Sequence, residues 1–224
     1  MGRLTLALVG LSIAASLLIV PVIGAETAAV VVPKEKTMLW NDTDFVGWKR
    51  FLPDASQNVD DTWSIADGVL RCMGRPVGYM RTETSYADYH LHVEWRWPAA
   101  PGNNGVLVHM SGQDVVWPRS LECQLASGSA GDFWVIGGFE HAEHAKGGQR
   151  VQGRRVVKLH DSSERPLGEW NQYDILCKDD WVVVLVNGVL QNVATQCSDK
   201  SGKICLQSEG APIEYRNVWI EPLE

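Results

Sequence analysis

Apolar and polar residues alternate strictly through the middle of this chain. Tyr89, Leu91, Val93, Trp95 and Trp97 are apolar, while His90, His92, Glu94 and Arg96 between them are polar. The run from Ser120 repeats the pattern, with Leu121, Cys123 and Leu125 set against Glu122 and Gln124. A strand sends successive side chains to opposite faces, so each run predicts one apolar and one polar face. If the two strands are neighbours, Glu94, Arg96, Glu122 and Gln124 line one groove, and that groove is the expected functional surface. Further strands are predicted at 62–65, 69–72, 133–136, 151–159, 170–177, 181–186, 189–193, 203–207 and 213–220. Asp67-Gly68 and Asn187-Gly188 sit between such runs and have the chemistry of tight hairpins, where glycine accepts a positive φ. Beyond the first 25 residues no stretch keeps a helical period. There is no internal repeat, and no glycine-rich phosphate loop precedes a helix. Many short strands with regular turns predict an all-β sandwich or barrel.

The N-terminus follows another pattern. Residues 1–25 read as a signal peptide: Arg3, a nearly unbroken apolar run from Leu4 to Val20, then Pro21 and the small residues Gly24 and Ala25. The run is about long enough to span a bilayer, so a retained anchor is the competing reading. Residues 26–37 read as a short tether and 38–224 as a single domain, in keeping with a chain of 224 residues. The formal charge is -7, and removing the leader takes away only Arg3, giving -7 - 1 = -8. That balance argues against a nucleic-acid partner, which wants a basic footprint. The expected protein is exported, periplasmic or extracellular, with no membrane contact after cleavage.

Export permits disulfides. The five cysteines leave at least one unpaired within the chain. Cys123 reads as a buried thiol, and Cys197 and Cys205 as a pair if their strands are neighbours. Ten tryptophans exceed what a core of this size needs, so Trp117, Trp134 and Trp170 are candidates to stack on sugar rings, against the plainer reading of core. Residues 127–150 read as a long loop around one short strand. Its Glu140, His141, Glu143 and His144 are candidate ligands for a divalent metal, with a solvated loop as the alternative. The cysteines do not have metal-ligand spacing.

Several phrases in fixed order carry a resemblance. They include Trp40-Asn41 with Gly47-Trp48, Trp63-Ser64-Ile65-Ala66-Asp67-Gly68, Glu94-Trp95-Arg96 and Gly102-Asn103-Asn104-Gly105-Val106. Further on stand Glu122-Cys123-Gln124-Leu125, Pro166-Leu167-Gly168-Glu169-Trp170-Asn171 and Leu206-Gln207-Ser208-Glu209-Gly210. Together they resemble the 3-keto-disaccharide hydrolase family (3-keto-glucoside lyase and hydratase domains) over about residues 38–224. The resemblance implies a concanavalin A-like lectin/glucanase jelly roll, two antiparallel sheets with sugar chemistry on a concave face. It also implies an exported enzyme acting on glycosides already oxidised at C3. In many members a His follows the Leu-Gln phrase near the end, where this chain has Glu209 after Ser208.

Glycoside hydrolysis by paired carboxyls needs an acid and a base or nucleophile flanking the bond. The strand Glu122-Cys123-Gln124-Leu125-Ala126-Ser127 offers one carboxylate where laminarinase-type strands carry three acidic positions. A 3-keto sugar needs less, because the ketone acidifies the C2 proton and the leaving group lies β to it. Glu122 is the expected base and Arg96 the expected enolate stabiliser, with His109 or Glu209 as acid. Gln124, Asn104 and Gln207 are expected to orient hydroxyls, and Glu94, Trp117 and Trp170 to complete a small-carbohydrate site. A divalent metal is the possible cofactor. Structural ion pairing of Glu94, Arg96 and Glu122, and a packed His109, are the plain alternatives. The rival function is a non-catalytic carbohydrate-binding module on the same fold, and the third a cell-surface structural domain.

Overall fold

The computed structural model describes residues 1–2 and 29–223. The expected leader lies almost wholly outside the described residues. The described chain opens with β1 (Val30–Val31) and β2 (Thr37–Met38), then β3 (Trp48–Phe51), β4 (Trp63–Ala66), β5 (Val69–Cys72), β6 (Gly78–Thr82) and β7 (Ser85–Tyr86). Its middle carries β8 (Tyr89–Arg96), β9 (Gly105–Ser111), β10 (Arg119–Gln124) and β11 (Phe133–Ile136). A one-turn helix α1 (Ala142–Ala145) precedes β12 (Val151–Gln152) and β13 (Arg155–Val156). Five strands close the chain: β14 (Asn171–Lys178), β15 (Trp181–Val186), β16 (Val189–Ala194), β17 (Lys203–Ser208) and β18 (Ile213–Pro222).

These strands form two antiparallel sheets packed as a jelly-roll sandwich. One runs β12-β13-β11-β10-β9-β17-β6-β3, and the other β16-β15-β14-β8-β18-β5-β4 with β2 added beside β18. The core between them is built by the alternation read above. Tyr89, Leu91, Val93 and Trp95 of one sheet meet Val106, Val108, Leu121 and Cys123 of the other in a single buried cluster. Both hairpin dipeptides take the expected conformation, with positive φ at Asp67, Gly68, Asn187 and Gly188. The described part of the expected tether is docked rather than loose: β1 pairs with β7, and β2 with β18. No helix among the described residues is long and apolar enough to cross a membrane.

The groove expected between neighbouring polar strands does not form. The alternation of β8 and of β10 holds, but the two strands belong to opposite sheets. Their apolar faces point at each other across the core, so their polar faces point away from each other. The cysteine pair is corrected on similar grounds. All five cysteines are buried free thiols. Cys197 packs into the core between the sheets, whereas Cys205 packs with Tyr79, Leu107, Met110 and Ile136 in a separate cluster.

Candidate functional site

On its outer face, the sheet containing β10 carries a cavity of about 220 Å³ lined by Asn103, Trp117, Glu122, Gln124, Trp134, Ile136, Arg154 and Glu209. Most of the lining comes from four elements, with Asn103 and Trp117 added from the connections on either side of β9. Strand β10 supplies Glu122 and Gln124, β11 supplies Trp134 and Ile136, the turn between β12 and β13 supplies Arg154, and the end of β17 supplies Glu209. Register explains the grouping: Glu122 lies opposite Trp134 on one side and Leu107 on the other, and Gln124 lies opposite Gly105.

Glu122 sits at the floor. Its side chain is buried, and Oε1 has no hydrogen-bond partner within the protein. Burial, reinforced by the charge of Glu209, pushes its carboxyl up to about 8 against the opposing pull of Arg154 and Gln207. A carboxyl in apolar surroundings favours its neutral form, and a second negative charge nearby adds to that preference. Glu209 is itself raised by burial, opposed by Arg75 and Arg154. Further buried polar atoms without protein partners stand beside Glu122: Asn103 Oδ1, Gln207 Oε1 and Trp134 Nε1. Polar groups buried this way are costly unless something satisfies them, so these atoms remain available to hydrogen-bond a polar ligand. Gln124 is oriented by its backbone, since the amides of Leu125 and Ala126 both donate to its Oε1 at 2.9 Å. Its Nε2 is left for the cavity.

Gly105 is a steric requirement of this floor. A Cβ there would stand 2.5 Å from Gln207 Oε1 and 2.6 Å from Glu122 Oε1. Gly105→Ala is therefore expected to displace the carboxyl and cut kcat/KM by about a hundredfold, the scale of an ångström-sized misplacement. Circular dichroism should show the fold intact, because the atoms met belong to side chains and not to the backbone. Unchanged turnover would show that catalysis does not depend on where this pair is held.

The sequence-predicted residues divide between two faces. Glu122, Gln124, Glu209 and Trp117 line the cavity, and Gln207 reaches its floor. Arg96 and Glu94 do not come near it. Arg96 Nε donates to Glu214 at 2.7 Å and its guanidinium lies 4.6 Å from the Trp170 ring, on the outer face of the opposite sheet. Glu94 accepts from Arg216 at 2.6 Å and Asn217 at 2.8 Å on that same face. Trp170 does not line the cavity; the guanidinium groups of Arg96 and Arg216 lie 4.6 Å and 4.2 Å from its ring. Asn104 is fully buried, with its amide donating to Ala211 O and accepting from Glu209 N, so it ties the loop down instead of reaching the ligand. His109 is packed in the interior edge-on to Tyr89, with Nδ1 bonded to Asp199 O, and burial lowers it to about 4. The loop histidines likewise make hydrogen bonds within the protein. Glu143 accepts from His141 and from Thr195, while His144 Nε2 donates to Gly153 O.

Three lining residues escaped sequence reasoning: Asn103, Ile136 and Arg154. Arg154 lies in a turn, where strand parity assigns no direction, and only the β11-β13 pairing carries it to the cavity. Its guanidinium stands 5.8 Å from the Trp134 ring. Asn103 precedes its look-alike Asn104, and the sequence does not say which of the two faces in.

Comparison with known proteins gives the family and the fold. The sequence signature of the 3-keto-alpha-glucoside-1,2-lyase-like domain matches residues 35–221. The chain belongs to that family. No curated protein matches it. Among solved structures, a provisionally assigned glycosyl hydrolase from Parabacteroides distasonis shares 24% identity at a TM-score of 0.62, covering 85% of this chain and 94% of that one. The Bacillus licheniformis beta-glucanase shares 13% identity at a TM-score of 0.50, covering 79% and 92%. The carbohydrate-binding module CBM66 from Bacillus subtilis shares 12% at 0.54, covering 77% and 93%. At these identities the likeness establishes the jelly-roll fold, in which this 3-keto-lyase-like domain carries its cavity on the outer face of one sheet.

Proposed function

We propose that this protein is an exported enzyme that cleaves 3-keto-glycosides by elimination followed by hydration, a net hydrolysis. The observation that carries the reading is Glu122, a buried carboxyl held near neutrality at the floor of a polar cavity beside a second carboxyl and one arginine. A base whose proton affinity lies near the working pH is suited to remove a carbon-bound proton, and such tuning is a mark of acid–base sites. Glu122 takes the C2 proton of the 3-keto sugar, the electron pair forms the enolate, and its collapse expels the aglycone from C1. Water then adds at C1 of the 2-hydroxy-glucal, and the proton returns to C2.

Arg154 takes the role first given to Arg96, supplying positive charge toward the developing enolate oxygen. Glu209 serves the leaving-group oxygen. Gln124 Nε2 and Asn103 hold hydroxyls, and Trp117, 42% exposed at the mouth, offers a ring face to the sugar.

The test is turnover. The mature protein is expected to release 3-keto-glucose from 3-keto-trehalose and to leave unoxidised trehalose intact. Binding of either sugar without turnover would replace the enzyme reading with the binding module.

A further inference from the structure

The opposite face of the sandwich holds a cluster that the sugar chemistry does not use. His90 and His92 alternate on β8, so both project from its outer face, and Asp174 of β14 is the direct cross-strand partner of His92. His90 Nε2 donates to Asp174 Oδ1 at 2.8 Å, and His92 Nδ1 donates to the same oxygen at 2.7 Å. The three donor atoms lie within 4.8 Å of one another, and each side chain is partly open to solvent. The geometry points to a transition-metal site here, with His90 Nε2, His92 Nδ1 and the Asp174 carboxylate as ligands and zinc(II) as the fitting ion.

The donor set decides the class of ion. Two imidazole nitrogens and one carboxylate suit zinc and its neighbours, whereas magnesium and calcium want oxygen ligands. Zinc–nitrogen and zinc–oxygen bonds of about 2.0–2.2 Å let one ion bridge donors this close, with water completing the shell. The surroundings match what metal-bound histidines need. A ligating imidazole usually presents its other ring nitrogen to a carboxylate, which fixes the tautomer and the ring. His90 Nδ1 already donates to Glu221 Oε1 at 3.0 Å. His92 Nε2 stands 3.8 Å from Glu94 Oε1, and Glu94 is itself anchored by Arg216 and Asn217. His92 is also stacked on Trp219, with ring centroids 4.7 Å apart, and Lys36 covers that indole at 3.5 Å. Binding an ion requires His90 Nε2 to give up its proton and His92 to carry its proton on Nε2, toward Glu94. Protons therefore compete with the metal.

The test is zinc titration of the mature protein without a histidine tag, read by calorimetry and by thermal unfolding. One zinc per chain is expected, with a rise in Tm that chelator reverses and that is lost at pH 5. Magnesium and calcium should give no shift. Glu221→Gln should weaken zinc binding about 10- to 100-fold, the usual effect of losing a partner behind a ligand. Asp174→Asn should abolish the one-to-one binding. Absence of saturable zinc binding would overturn the proposal, as would binding equally tight in Glu221→Gln and Asp174→Asn. If Asp174→Asn does not fold, the wild-type titration and Glu221→Gln still decide. Because the site faces away from Glu122, Glu221→Gln should leave turnover of a keto sugar unchanged, which keeps this test independent of the sugar chemistry.

Discussion

Glu122→Gln is expected to lower kcat/KM toward a 3-keto-disaccharide by about 10²- to 10⁴-fold, the range associated with losing a positioned general base. Glutamine keeps the size of the side chain and its contacts with Gly105 and Gln207, so the loss isolates the proton-transfer step. The wild-type pH profile adds a second readout. The base works ionised, and burial holds Glu122 near 8, so kcat/KM should rise with pH and level off above about 8. A profile that instead falls above that pH would recast Glu122 as the proton donor. Full activity in Glu122→Gln would remove it from the chemistry altogether.

The same substitution should stabilise the fold, and increasingly so as the pH rises above 4.5. The carboxyl takes its proton at an ordinary value of 4.5 in the unfolded chain and at about 8 in the folded one. Below pH 4.5 both states are protonated, and the residue carries no titration penalty. Between 4.5 and 8 the unfolded state ionises while the folded state stays neutral, so stability declines as pH rises. Above 8 the whole penalty is present, roughly 4–5 kcal/mol from the span of the two values. Glu122→Gln removes this dependence. Its Tm should match the wild type near pH 4 and exceed it by several degrees at pH 8.5. A difference that does not change with pH would mean that the folded protein does not hold this carboxyl neutral. A residue whose removal stabilises the fold and abolishes turnover is the signature of a site maintained for function.

Local sequence was a good guide wherever the physics is local. Asp67-Gly68 and Asn187-Gly188 announced their hairpins because few residues other than glycine accept a positive φ at no steric cost. Alternation assigned the inward and outward residues of β8 and β10 correctly, since pleating enforces a period of two on any strand. Glu122 and Gln124 could be singled out from that pattern alone, and the family resemblance brought Gln207 and Glu209 beside them.

Sheet membership is not local. Strand β8 leads into β9 through residues 97–104, and that connection carries the chain from one sheet to the other. The polar faces of β8 and β10 therefore look in opposite directions, and Arg96 joins Glu214 and Trp170 instead of Glu122. Parity within a strand carries no record of which layer the strand enters. The same blindness hid Arg154, whose turn reaches the cavity only through the pairing of β13 with β11, and it hid the convergence of His90 and His92 on Asp174, which lies more than eighty residues along the chain. The sequence alone determined the all-β sandwich, its hairpins and the outward carboxylate of β10. The tertiary structure decided which charges share a face, because that depends on where each connection crosses the core.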